Sequence, residues 1–227
     1  MNKKDPKYEN KEICKQCGGY CCKKSGCDYF VSDFESMKLD YLENILNTKR
    51  VSIIASFDFK RLNNGKLVYT PMLSLRARNN NRGIIDLLSF KTSCASLTEN
   101  GCYYDIEKRP SGGVALIAQS KKNCYSEIDR LTELKKWEPY QKVLERLVKR
   151  YTKMSVIEKI KEDVENLIYN IYTKNFEEVF PEEIEDVYKM LPLLAECFPE
   201  EFEKAKSKYQ KLNPHNSVKL KKKIKQK

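Results

Sequence analysis

Five of the nine cysteines fall within fourteen residues, Cys14-Lys-Gln-Cys17-Gly-Gly-Tyr-Cys21-Cys22-Lys-Lys-Ser-Gly-Cys27. Three more follow at Cys94, Cys102 and Cys124, and Cys197 stands apart. A C-x-x-C pair such as Cys14 and Cys17 aims two thiolates into one hemisphere, as a tetrahedral metal held by sulfur requires. Gly18 and Gly19 let backbone N–H groups turn toward the sulfurs, and such hydrogen bonds tune a thiolate-held cluster. Adjacent side chains point apart, so Cys21 and Cys22 serve different metals or only one of them serves. With Cys197 set aside, the expected metal ligands are Cys14, Cys17, Cys21, Cys22, Cys27, Cys94, Cys102 and Cys124. Eight thiolates suffice for two four-thiolate sites, or for one four-iron cluster with spare thiols. Zinc and an iron–sulfur centre both accept four thiolates, and the sequence leaves the two open. Lys15, Lys23, Lys24, Lys121 and Lys122 lie beside these cysteines and would offset their charge.

The alternative for so many cysteines is a disulfide framework. An odd count fits that poorly, and the charged start Met-Asn-Lys-Lys-Asp-Pro-Lys leads into no apolar signal segment. The expected location is therefore the cytoplasm, where disulfides seldom persist. No stretch approaches the roughly 18 consecutive apolar residues of a membrane span. The net charge of +11 is concentrated at one end: six lysines lie between Val218 and Lys227, leaving +5 for the other 217 residues. A basic tail of that kind is solvated and binds polyanions without specificity, so specific nucleic-acid recognition is not expected.

Other chemistry is sparse. The only histidine, His215, lies beside the basic tail, and no phosphate-binding glycine loop is present. No strand-to-helix glycine fingerprint for S-adenosylmethionine is evident. Arg109 could hold an anion, but an Arg-Pro more often ends a helix with the arginine paired to a nearby acid such as Asp105 or Glu107. Cys197, in an apolar helical stretch, reads as a buried structural cysteine.

The elements that must position these residues change character along the chain. Ser32-Asp33-Phe34-Glu35 reads as a capping box opening a helix over about 33–47. Val51 to Phe59, Lys66 to Thr70 and Met72 to Arg78 read as two or three antiparallel strands punctuated by Asn63-Asn64-Gly65 and Asn79 to Gly83, with Ile84 to Phe90 a further strand. Ser111-Gly112-Gly113 reads as a flexible turn. From Ser126 the pattern is helical: a short helix over 126–136, then the stripe Trp137, Tyr140, Val143, Leu144, Leu147, Val148 and Tyr151. Ser155 to Glu158 is a second capping box. Pro181 and Pro199, each followed by two glutamates, start helices near 181–196 and 199–211, and Pro192 should kink or split the first. The expected fold is α+β: a cysteine-rich metal-binding half (1–125) with a small antiparallel sheet, a helical bundle (126–212), and a basic, disordered tail (213–227).

The order C-x-x-C-x3-C-C, a capping-box helix, and then Cys94…Gly101-Cys102-Tyr-Tyr-Asp-Ile-Glu-Lys-Arg109-Pro110 resembles the bacterial CxxCxxCC zinc- or iron-chelating family. These are the YkgJ-type cysteine-cluster proteins, with which the flagellin lysine-N-methylases are grouped. The resemblance covers residues 14 to 124 and departs from the family pattern twice. Three residues rather than two separate Cys17 from Cys21, and Ser111-Gly112-Gly113 replaces the usual cysteine after Arg-Pro, leaving Cys124 to take its place. The resemblance implies a cytoplasmic protein holding zinc, iron or an iron–sulfur cluster. The alternatives are a lysine-N-methylase-like enzyme and a zinc-stabilised adaptor whose basic helical half binds an acidic protein partner.

Overall fold

The computed structural model describes residues 12, 13, 16, 18–20, 22, 27–89, 93–99, 101–120, 123–126, 128–175 and 181–213. Its centre is a long hairpin of β1 (Val51–Arg61) and β2 (Leu67–Ala77), in register without a break from Val51↔Ala77 to Arg61↔Leu67. Gly65, at φ +81°, supplies the left-handed residue of the turn. Side chains alternate, so Val51, Ile53, Ala55, Leu73 and Leu75 enter the main core while Ser52, Ile54, Ser56, Met72 and Ser74 line the opposite face. The sequence leaves open whether 66–70 and 72–78 are one strand or two, and β2 runs straight through Pro71. The reason is placement: Pro71 points its nitrogen away from β1, where the ladder needs no donor.

The outer edge of β2 is covered from Leu73 to Ala77. Tyr29 N–H donates to the Leu75 carbonyl (2.9 Å), and Ala77 N–H to that of Cys27 (2.8 Å). Between that segment and Pro71, the Gln141 side chain accepts from Leu73 N–H (2.8 Å) and donates to its carbonyl (2.9 Å), acting as one residue of a missing strand. The expected strand at 84–90 reduces to a short parallel run beside β1. Ile53 N–H donates to Ile84 (2.8 Å), Asp86 N–H to Ile53 (2.9 Å), and Ala55 N–H to Leu87 (3.0 Å).

The helix expected from residue 33 begins later, as α1 (Leu39–Asn47), burying Leu42 and Leu46. Asp33 is engaged elsewhere. Its carboxylate accepts from Phe30 N–H (2.9 Å), Ser111 N–H (2.9 Å) and the Ser111 hydroxyl, and Lys38 takes the N-cap position, so the Ser32–Glu35 capping box does not form. Two small ladders follow, β3 (Leu97–Thr98) with β4 (Gly101–Cys102), and β5 (Leu116–Ser120) with β6 (Asn123–Ser126). Between them lies the single turn α2 (Ser111–Val114), the stretch expected to be a flexible turn. Its glycines permit close approach: a Cβ on Gly112 would lie 2.6 Å from the Asp28 carbonyl oxygen.

The helical half comprises α3 (Arg130–Lys135), a 3-10 turn at Glu138–Tyr140, α4 (Gln141–Thr152), α5 (Val156–Thr173), α6 (Pro181–Cys197) and α7 (Pro199–Leu212). The second capping box forms as expected, Ser155 Oγ accepting from Glu158 N–H and Glu158 from Ser155 N–H. α6 continues through Pro192 rather than splitting. The core joins both halves: Leu42, Ile53, Leu73, Leu75 and Leu87 pack with Trp137, Leu144, Leu147, Ile160, Val164, Leu194 and Phe198. The fold is therefore α+β, a small antiparallel sheet backed by several helices. Among the described residues no helix is long and apolar enough to cross a membrane.

Candidate functional site

Of the eight expected metal ligands, Cys14, Cys17 and Cys21 lie outside the described residues, as do His215 and the neighbouring lysines at 15, 23, 24, 121 and 122. The two cysteine blocks do meet through the backbone. Cys94 N–H donates to the Cys22 carbonyl (2.8 Å), and Gly19 faces the Leu97 side chain. Cys27 lies against Gly113, where a Cβ would come 2.5 Å from its sulfur. Burial pushes the Tyr29 phenol pKa up, reinforced by Tyr104, Asp33, Cys94 and Cys27 around it.

Among the described residues this proximity assembles no metal centre. Among the described residues, no group of three or more His, Cys, Asp or Glu side chains converges to hold an ion. The local geometry explains the dispersal. The Cys94 sulfur is buried and accepts from Ser96 N–H within its own turn (3.4 Å). Cys102 sits opposite Leu97 on one short ladder and Cys124 opposite Ala118 on another. Cys197 is half-buried at the end of α6, and burial raises its thiol pKa. Arg109 donates through Nε to the Tyr104 carbonyl (3.0 Å), bracing its own loop.

The described residues form a different concavity on the outer face of the hairpin. It is a groove of about 630 Å³ between that face, the Asp28–Phe30 segment and α3. Its floor and walls are apolar: Tyr29, Phe30, Ile54, Phe57, Met72, Leu131, Leu134 and Trp137. Trp137, the only tryptophan, is 1% exposed and belongs to both core and groove, whereas Leu131 on the lip is 69% exposed. Tyr125 and Ile128, just before α3, are also exposed apolar residues. Asp58, Arg130, Glu133, Lys135 and Glu138 give the rim its charge.

One ionic cluster fixes the wall. Asp28 accepts from Arg76 Nε at Oδ1 (2.6 Å) and from Arg130 at Oδ2, while Arg76 also donates to Ser89 Oγ (2.6 Å). Burial alone would raise the Asp28 pKa; the two guanidiniums outweigh it and hold the carboxyl below the ordinary carboxylate range. α3 has only six residues, too few to be stable alone. It is held by this contact and by Asp129, which caps it through Leu131 N–H (3.1 Å) and the Thr132 hydroxyl (2.6 Å).

Sequence periodicity placed Trp137 on a helix stripe and made nothing of Asp28, Arg76 or Arg130. The available signal was Ile54 beside Ile53: two adjacent large apolar residues in a strand mark a sheet covered on both faces.

No protein-family profile, curated protein or solved structure matches this chain. The resemblance to the CxxCxxCC family is thus corrected, since no profile matches and no donor set converges among the described residues. Among the described residues no donor set is present for the expected zinc, iron or iron–sulfur cofactor, which corrects the metal-binding function built on it; the lysine-N-methylase alternative, which rested on the family resemblance, has no matching profile behind it.

Proposed function

We propose that the chain is a recognition module that binds an amphipathic helix of a partner protein in the groove between α3 and the hairpin. The observation carrying this reading is Leu131, 69% exposed on the lip of an apolar groove floored by Ile54, Met72 and Trp137. Large side chains left in water beside a concave apolar surface mark interaction sites. Six lining residues, Asp58, Thr70, Arg130, Leu131, Lys135 and Glu138, are exposed, so the groove is open rather than an enclosed small-molecule cavity. Strand addition does not suit this side of the sheet, because Tyr29, Gln141 and Pro71 leave little of the β2 backbone available. Recognition then falls to side chains, which favours a helix laid into a groove.

The test is methyl NMR on the full chain titrated with leucine-rich amphipathic helical peptides. Shifts should concentrate at Ile54, Met72, Leu131 and Leu134, and Leu131→Asp should abolish them without lowering the melting temperature. Shifts centred elsewhere, or unaffected by Leu131→Asp, would overturn the reading.

A further inference from the structure

The two edges of the hairpin are treated differently. The β2 edge is covered from Leu73 to Ala77 by the Cys27–Tyr29 segment and the Gln141 side chain, and Pro71 offers no donor beyond them. On β1, the outward N–H and C=O of Ile53 and the outward N–H of Ala55 are used by residues 84–87, which stop there. The ladder alternates, so the next outward groups on that edge belong to Phe57, Phe59 and Arg61. Among the described residues, no backbone group bonds the outward side of Phe57 or Phe59. Asp58 and Lys60, which flank Phe59, are exposed and make no ion pair among the described residues.

We propose that this β1 edge pairs antiparallel with the same edge of a second copy of the chain, about a two-fold axis through Phe59. The charges select that register. An axis through Asp58 would set two aspartates opposite each other, and one through Lys60 two lysines. An axis through Phe57 would require the Ala55 N–H, which is already bonded to Leu87. The axis through Phe59 sets Asp58 opposite Lys60 of the second copy, twice by symmetry. Opposite charges in directly facing positions stabilise a strand pair, and like charges oppose it. The same register pairs Phe59 with its own copy and Phe57 with Arg61 of the second copy, completing the free backbone groups. Residue 59 already stacks on Phe57 within one chain (centroids 5.9 Å apart), so four aromatic rings would line up across the joint. This surface is isologous and closed, consistent with a two-fold dimer rather than an open chain.

Sedimentation equilibrium on the full chain tests the proposal. The weight-average mass should climb from 26.7 kDa toward twice that value as concentration rises from about 10 µM to about 1 mM, the range of a small interface. Asp58→Lys and Lys60→Asp should each weaken self-association about tenfold, and the double exchange Asp58→Lys/Lys60→Asp should restore it. Leu131→Asp, which disables the groove, should leave the dimer unchanged, so the two readings fail separately. A monomer throughout the range, or a dimer whose strength ignores both single exchanges, would overturn the proposal. So would single exchanges that the double exchange does not rescue.

Discussion

Replacing Asp28 with asparagine removes the charge that joins the sheet to α3. Arg76 is 7% exposed and Asp28 24%, so their contact is largely shielded from water, whereas Arg130 is 65% exposed. Breaking a buried pair costs about 3–5 kcal/mol. Asn keeps an acceptor for Arg76 Nε, and Asp28 is not fully buried, so the expected loss is about 2–3 kcal/mol. Urea unfolding of Asp28→Asn, Arg76→Gln, Arg130→Gln and the two doubles separates the contacts. Coupling between Asp28 and Arg76 should be about 2 kcal/mol, and that between Asp28 and Arg130 about 0.5 kcal/mol, as for an exposed pair. The pH dependence has a fixed sign. Because the folded pKa lies below the ordinary value of 3.8, this stabilisation is present above that value and lost as pH falls through the depressed folded pKa. The gap between wild type and Asp28→Asn should therefore close in acid. Equal couplings to Arg76 and Arg130, or a gap that widens in acid, would refute the reasoning.

Gly112→Ala should destabilise by about 1–3 kcal/mol, because its Cβ would meet the Asp28 carbonyl at 2.6 Å and a backbone atom cannot swing aside; denaturant midpoints measure it. Asp163 behaves oppositely to Asp28: burial, then the nearby Asp86, raises its carboxyl pKa despite Lys159 and Arg82. A raised carboxyl binds its proton more tightly in the folded state, so its unfavourable contribution is present at neutral pH and relieved as pH falls through the folded pKa. Asp163→Asn should accordingly change stability at neutral pH by less than about 1 kcal/mol and remove that acid-side gain. Chemical denaturation across the acid range decides it.

Local signals in the sequence were read well where one residue type settles one structure. Ser155 and Glu158 made their box, and Asn64-Gly65 turned the hairpin. Signals depending on distant partners were misread. The Ser32–Glu35 box looked complete, but Asp33 found Ser111, seventy-eight residues away, and the helix start moved to Leu39. Pro71 left the strand count open because nothing local says which way its nitrogen faces. The Gly112-Gly113 pair looked like a hinge because the chain it accommodates, Cys27-Asp28, is remote in sequence. The cysteine spacing suggested convergence, yet residues 94, 102 and 124 were distributed over separate turns and ladders by pairings that spacing does not encode. The groove was invisible for the same reason: its parts come from residues 28–30, 54–58, 70–74 and 130–138.

Trp137 gives the most direct test of the groove as a recognition site. It is the only tryptophan, is 1% exposed, and lines the groove between Met72 and Leu134. Its fluorescence therefore comes from one residue, which packs in the core and lines the groove. Titration of the full chain with a tryptophan-free leucine-rich amphipathic helix should change its emission saturably, and Leu131→Asp should eliminate the change. An emission spectrum that stays constant while the same peptide binds the chain would contradict the account.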